Sequence, residues 1–248
     1  MSSNYNKNYL TFVIARIDFS SPLKTDELPG NLRKAILKEF PIPEPKKFLQ
    51  HEVIVKPNEP IELKDNPPLT EWNFYGNTRE KRLVINPNFL SITYENSYGS
   101  FNTLQSEFLF IIEELFKADE NVDVIRLGLR YINEISLPGK DPLCWDEYLN
   151  PKLLTIFDIP DKKEDILKGF SELVFKIDDM NLIFKYGMHN PDFPAPIRRK
   201  IFILDFDAQC ASLQEYLGIK QNLVRAHAAI ENLFEKCIEE PLRVILNE

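Results

Sequence analysis

Two apolar periods alternate along the chain, one recurring every second residue and one every third or fourth, and they divide it into predicted strands and helices. The most strongly patterned stretch is 122–136, Val-Asp-Val-Ile-Arg-Leu-Gly-Leu-Arg-Tyr-Ile-Asn-Glu-Ile-Ser. It is rich in β-branched and aromatic residues and predicts a long strand. Period two places Ile125, Leu127, Leu129, Tyr131 and Ile135 on one face, and Val124, Arg126, Gly128, Arg130, Ile132 and Glu134 on the other. The first face is core. The second carries two guanidiniums flanking a glycine, where a ligand or another backbone has room to approach.

The remaining elements follow in order. Leu10 to Phe19 predicts a strand. Asn31 to Phe40 predicts a short amphipathic helix, with Leu32, Ile36 and Phe40 on one face and Pro41 ending it. Residues 41–50 read as a Pro-rich connector, His51 to Lys56 as a strand and 57–69 as a polar loop. Three short strands follow, Glu71–Tyr75, Arg82–Asn86 and Phe89–Glu95, the last two joined as a hairpin by Pro87-Asn88. Ser100 is an N-cap for a helix over 101–118, whose stripe of Phe101, Leu104, Phe108, Ile111, Ile112 and Leu115 faces a sheet. After the central strand, Trp145 to Phe157 predicts one or two short helices interrupted at Pro151, and Asp158 to Asp165 a charged linker. Three strands then run over Phe170–Ile177, Leu182–Met188 and Lys200–Asp207, with a tight hairpin at Asp178-Asp179 and a Pro-rich loop at 189–199. A long helix over 212–239 closes the chain, with Pro241 kinking it or starting a final turn.

Read as a string, the first half is β-α-β-β-β-β-α and the second β-α-β-β-β-α. The expected fold class is α+β: a largely antiparallel sheet with helices on one side, built from two pseudo-repeated halves. The halves are 1–120 and 121–248, packed as one compact unit. The element order is like that of the TATA-binding-protein saddle and less closely like helix-grip folds, and it fixes no function.

Several segments resemble a sporadically distributed family of uncharacterised prokaryotic proteins of similar length. They are Arg126-Leu-Gly-Leu-Arg-Tyr-Ile-Asn133, Trp145-Asp-Glu-Tyr-Leu-Asn-Pro-Lys-Leu-Leu154, Pro87-Asn-Phe-Leu-Ser-Ile-Thr-Tyr94, Leu204-Asp-Phe-Asp207 and Ala226-His-Ala-Ala-Ile-Glu-Asn-Leu-Phe234. The N-terminal part departs from it: Ser21-Pro22-Leu23 stands where the family pattern has a Pro-Pro-Leu-x-Glu segment. The resemblance implies no established activity, cofactor or substrate. Its patchy occurrence implies an association with mobile or defence-linked genes.

Composition narrows the function classes. The 248 residues are 44% hydrophobic and 12% aromatic, those of a globular chain able to bury a sizeable core. A net charge of −8 argues against a broad nucleic-acid or anionic-membrane surface. Met1 to Asn8 is polar and no apolar run reaches membrane-spanning length, so the expectation is a cytoplasmic protein without a signal peptide or membrane partner. Cys144, Cys210 and Cys237 are far apart and read as reduced thiols.

Candidate chemistry concentrates on the central strand. Arg126 and Arg130 are about 13 Å apart along it, and they suit a phosphate or carboxylate, with Gly128 opening room and Glu134 beside them. The plainer reading is ion pairs to acids of neighbouring strands, such as Glu134 or Glu172. Asp205 and Asp207 share a strand face and offer a paired-carboxylate metal site for phosphoryl transfer, helped by Glu134; the plainer reading is a solvated strand end or partners for the two arginines. His227 lies on the apolar stripe of the last helix, as a satisfied core histidine or a general base. His51 and His189 have no Cys or His at metal-ligand spacing. Tyr94, Tyr98 and Phe101 form either an aromatic platform or a sheet–helix junction. Glu62-Leu-Lys64 resembles the E-x-K of a nuclease core but lacks an upstream Asp on a strand. No glycine-rich phosphate loop, G-x-S-x-G or H-E-x-x-H is present. The expected function is therefore a non-catalytic binding protein without a cofactor, holding an anionic small molecule or a partner segment on the Arg126/Arg130 face. A homodimer is compatible with it. The alternative is a metal-dependent phosphoryl-transfer enzyme or nuclease using Asp205, Asp207 and Glu134.

Overall fold

The computed structural model describes residues 5–54, 62–212 and 215–248, without the side chains of 50–54 and 62–67. Its strands are β1 (Leu10–Phe19), β2 (Ile42–Ile54), β3 (Glu62–Tyr75), β4 (Lys81–Ile85), β5 (Phe89–Glu95), β6 (Val124–Ser136), β7 (Gly169–Ile177), β8 (Met180–Met188) and β9 (Ile201–Cys210). Its helices are α1 (Gly30–Glu39), α2 (Phe101–Ala118), α3 (Tyr216–Cys237) and α4 (Glu240–Asn247). The strands form one nine-stranded sheet in the order β2-β3-β4-β5-β1-β6-β9-β8-β7. Every pairing in it is antiparallel. The fold is α+β.

The strands are amphipathic by period two, and one face of the sheet meets the helices. Val13, Ala15 and Ile17 of β1, Leu127, Leu129 and Tyr131 of β6, and Leu204, Phe206 and Ala208 of β9 are all buried on that side. They pack with Leu104, Phe108 and Ile112 of α2 and Leu223, Ile230 and Phe234 of α3 into one continuous core. Helix α1 packs on α2, α2 on α3, and α3 on β6 and β9. Ser100 caps α2, its hydroxyl accepting from the Thr103 amide at 3.2 Å.

Several local expectations are corrected. The connector over 41–50 is instead most of β2, and β3 begins at Glu62 inside the expected polar loop, 57–61 lying outside the described residues. Pro43 and Pro45 sit in β2 because it is the sheet's edge, where a missing N–H breaks no ladder. Lys56, the end of the predicted 51–56 strand, also lies outside the described residues. Ile125 is not core: it is 44% exposed, whereas Val124 is buried. Asp18 faces Arg126 while the next residue, Phe19, faces Val124, so Ile125 is an inserted residue that flips the phase of β6. Over 145–157 there are 3-10 turns at Pro151–Leu153 and Thr155–Asp158 rather than α-helix. Finally, the last long helix spans Tyr216–Cys237 rather than 212–239, while Pro241 does start a final turn, as the first turn of a separate helix, α4.

Candidate functional site

The face of the sheet turned away from the helices carries the residues singled out on the central strand. Cross-strand register sets Asp18 of β1 opposite Arg126 and Arg16 opposite Gly128. On the other side of β6 it sets Asp207 of β9 opposite Arg130. Asp205 faces Lys185 of β8, which faces Glu172 of β7. Acids and bases therefore alternate across five adjacent strands.

Both arginines are engaged. Arg130 donates from Nε and Nη2 to the two carboxylate oxygens of Asp205 at 2.8 and 2.6 Å, a bidentate pair. Arg126 Nη1 donates to Asp18 Oδ2 at 2.6 Å. Asp18 Oδ1 accepts from Arg16 Nε at 2.8 Å, and the Arg16 guanidinium lies 3.9 Å from the centre of the Phe89 ring. The arginines' partners are thus Asp18 and Asp205, not Glu134 or Glu172. Each guanidinium carries more N–H donors than these pairs consume, so each is held in orientation while keeping donors to offer. Arg130 is 42% exposed at the side chain, and Asp205 beneath it only 10%.

Asp207 accepts from Gln209 Nε2 at 2.6 Å. Burial pushes its carboxyl above the usual range, outweighing that hydrogen bond and the attraction of Arg126 and Arg130. Arg130, Asp205, Asp207, Lys185, Glu172 and Ile183 line a hollow of about 210 Å³. Among the described residues, no group of three His, Cys, Asp or Glu is placed to hold a metal ion. Glu134 shares the parity of Arg130, but its strand partner is Ile203 rather than either aspartate. Gly128 is buried, yet a Cβ there meets only ordinary contacts, 3.6 Å from Arg126 Nη2 and 3.9 Å from Asp207 Oδ1.

A second group of candidates meets at the start of α2. Tyr98, Phe101 and His227 line a cleft of about 380 Å³, together with Tyr5, Lys7 and Glu231. Phe101 stacks on His227 with ring centres 3.8 Å apart. The Tyr98 and Tyr131 hydroxyls are 3.0 Å apart, and Tyr131 Oη is 3.0 Å from His227 Nδ1. His227 Nε2 lies 3.3 Å from Glu231. A carboxylate at Nε2 places the imidazole proton there, so Nδ1 accepts from Tyr131. Burial pushes His227 down to about 4, leaving it neutral at pH 7. With both nitrogens engaged, it has no free position for a metal. Tyr94 packs edge-on against Tyr98 with ring centres 6.0 Å apart, its hydroxyl bonded to Glu107.

The other candidates stay apart. The His189 ring lies against Phe170, and the side chains of His51, Glu62 and Lys64 are outside the described residues. The Tyr131 hydroxyl and Glu231 escaped the sequence reading: Tyr131 counted as core, and Glu231 carried no motif. The i, i+4 spacing of His227 and Glu231 was the available signal. No described helix is long and apolar enough to cross a membrane. No family model matches the chain, and no curated protein is similar to it.

Proposed function

We propose that this chain is a non-catalytic interaction protein that takes a partner polypeptide segment on the open face of its sheet, with Arg126 and Arg130 as anchors. The observation that carries the reading is their state: two guanidiniums at the centre of an uncovered face, each oriented by a carboxylate and each with donors left over. Arginine fixed in this way suits an interface, because little side-chain freedom is lost on binding.

Charge chooses between the two ligand classes. Arg16, Arg126, Arg130 and Lys185 are matched by Asp18, Asp205, Asp207 and Glu172 across the same strands. A small anion finds each arginine already neutralised. A polypeptide segment, offering carbonyls and mixed charge, fits a balanced face. The same balance disfavours nucleic acid, which needs a coherent basic surface.

The strand order supports a finer reading of the fold as a saddle of two pseudo-equivalent halves. In each half the first strand lies innermost, β1 and β6 pairing at the centre. The later strands then run inward from the edge, as β2-β3-β4-β5 and as β7-β8-β9. The uncovered face is the underside of that saddle.

The test is native mass spectrometry of protein taken from its own cells, wild type against an Arg126→Ala/Arg130→Ala double variant, with Lys236→Ala on α3 as control. The expected result is a co-purifying polypeptide that the double variant loses and the control keeps. A double variant that folds and retains every partner overturns the reading.

A further inference from the structure

The two edges of the sheet differ. At one edge, β2 carries Pro43, Pro45, Lys46 and Lys47. The prolines are two apart and remove N–H groups from the same side of the strand, and the lysines repel a second copy, both common protections against strand addition. At the other edge, β7 (Gly-Phe-Ser-Glu-Leu-Val-Phe-Lys-Ile) has no proline. Its middle exposes three consecutive apolar residues: Leu173 at 51%, Val174 at 63% and Phe175 at 36%. Beside it, a groove of about 560 Å³ between the β7–β8 hairpin and α3 is lined by Phe175, Ile177, Met180, Ala229 and Leu233.

The β7 sequence is complementary to itself. On β7, Glu172, Val174 and Lys176 share the face of Lys185, and Leu173 and Phe175 share the face of Phe184 and Leu182. An antiparallel pair of two β7 strands centred on Val174 sets Glu172 opposite the second copy's Lys176, twice by symmetry. It also sets Leu173 opposite Phe175, twice. Opposite charges and aromatic–aliphatic pairs directly across an antiparallel ladder are stabilising. Neighbouring registers that keep the two sheets' faces aligned lose this match. Centring on Leu173 sets Glu172 against Val174 and Lys176 against Phe170. Centring on Phe175 sets Glu172 against Asp178 and Lys176 against Val174.

We propose that β7 is the dimerisation edge of this protein, pairing with β7 of a second copy about a two-fold axis at Val174 and joining two nine-stranded sheets into one. The interface is isologous, as a two-fold dimer requires. It covers the exposed Leu173-Val174-Phe175 segment and continues the open faces of the two copies. It is independent of what those faces bind.

The charge pairs give the test. Lys176→Glu sets Glu against Glu at both symmetric positions, and Glu172→Lys sets Lys against Lys. Mixed, the two variants restore opposite charges at both positions. Sedimentation equilibrium is run on the full chain: wild type, each variant alone, and the equimolar mixture. The expected result is a wild-type dimer, each variant alone dissociating at least about tenfold more readily, and a mixture that associates like wild type. A wild type that stays monomeric at about 100 µM overturns the proposal. So do variants that dimerise as wild type does, or a mixture no tighter than its components.

Discussion

Asp207 is the residue at which the electrostatics of the open face are least settled in its favour. It faces Arg130 across the ladder, but Arg130 spends its bidentate fork on Asp205, and burial raises the Asp207 carboxyl above its ordinary range. A carboxyl whose pKa is raised on folding contributes stability that is full below the unfolded pKa, about 4, and is lost as pH rises through the folded value. Asp207→Asn keeps an acceptor for Gln209 and removes the cost of ionisation. It is expected to raise stability at pH 7, with no difference from wild type near pH 3, as read by urea unfolding at the two pH values. Greater stability of the wild type at pH 7 would mean that Arg126 and Arg130 hold Asp207 as a third ion pair.

The same residues show what a sequence can carry at this scale. The parity of Arg126, Gly128 and Arg130 was legible because it depends only on neighbours two apart. Their partners were legible in part: Asp205 was among the acids read as partners for the arginines and does pair with Arg130, whereas Asp18 is joined to Arg126 by the pairing of β1 with β6, which no local pattern encodes. His227 was legible as a residue on an apolar stripe; its hydrogen bond to Tyr131, 96 residues away, was not.

At the scale of elements, glycine has opposite significance at two positions. A Cβ at Gly187 of β8 collides with the Gly169 carbonyl of β7, backbone against backbone, where neither side can yield. A Cβ at Gly128 finds ordinary contacts. Gly187→Ala is therefore expected to destabilise by about 2 kcal/mol or more and to loosen the β7–β8 hairpin. Gly128→Ala is expected to be neutral or stabilising by about 0.5 kcal/mol, and thermal unfolding separates the two. A large loss at Gly128 would restore the sequence-based view that the space beside it is needed.

Element boundaries failed where edge chemistry resembles loop chemistry. Pro43 and Pro45 signal a connector when read locally, and they are permitted in β2 because that strand has a neighbour on only one side. The bulge at Ile125 was invisible for a related reason: it is a mismatch between β1 and β6, not a property of either strand. Hairpins fared better. The turn at Asp178 requires positive φ, 56°, and an Asp-Asp pair tolerates it.

At the scale of the whole molecule, one sheet spans both halves of the chain. Among the described residues, helices cover one face, the other is open, and the charges at its centre are paired. The formal charge of −8 therefore describes the rest of the surface, not the face proposed to bind. Antiparallel sheets commonly keep one solvated face; here that face holds oriented arginines with donors to spare, and this asymmetry is the basis for reading it as the working surface.

Lysine footprinting in fresh lysate, compared with the same labelling on purified protein, tests that claim most directly. Lys185 is exposed on the open face, whereas Lys34 on α1 and Lys220 on α3 are exposed on the helical side. Lys185 is expected to be protected in lysate and to become reactive on purification, while Lys34 and Lys220 label equally in both. Equal labelling of Lys185 in the two conditions, or protection confined to the helical side, would contradict it.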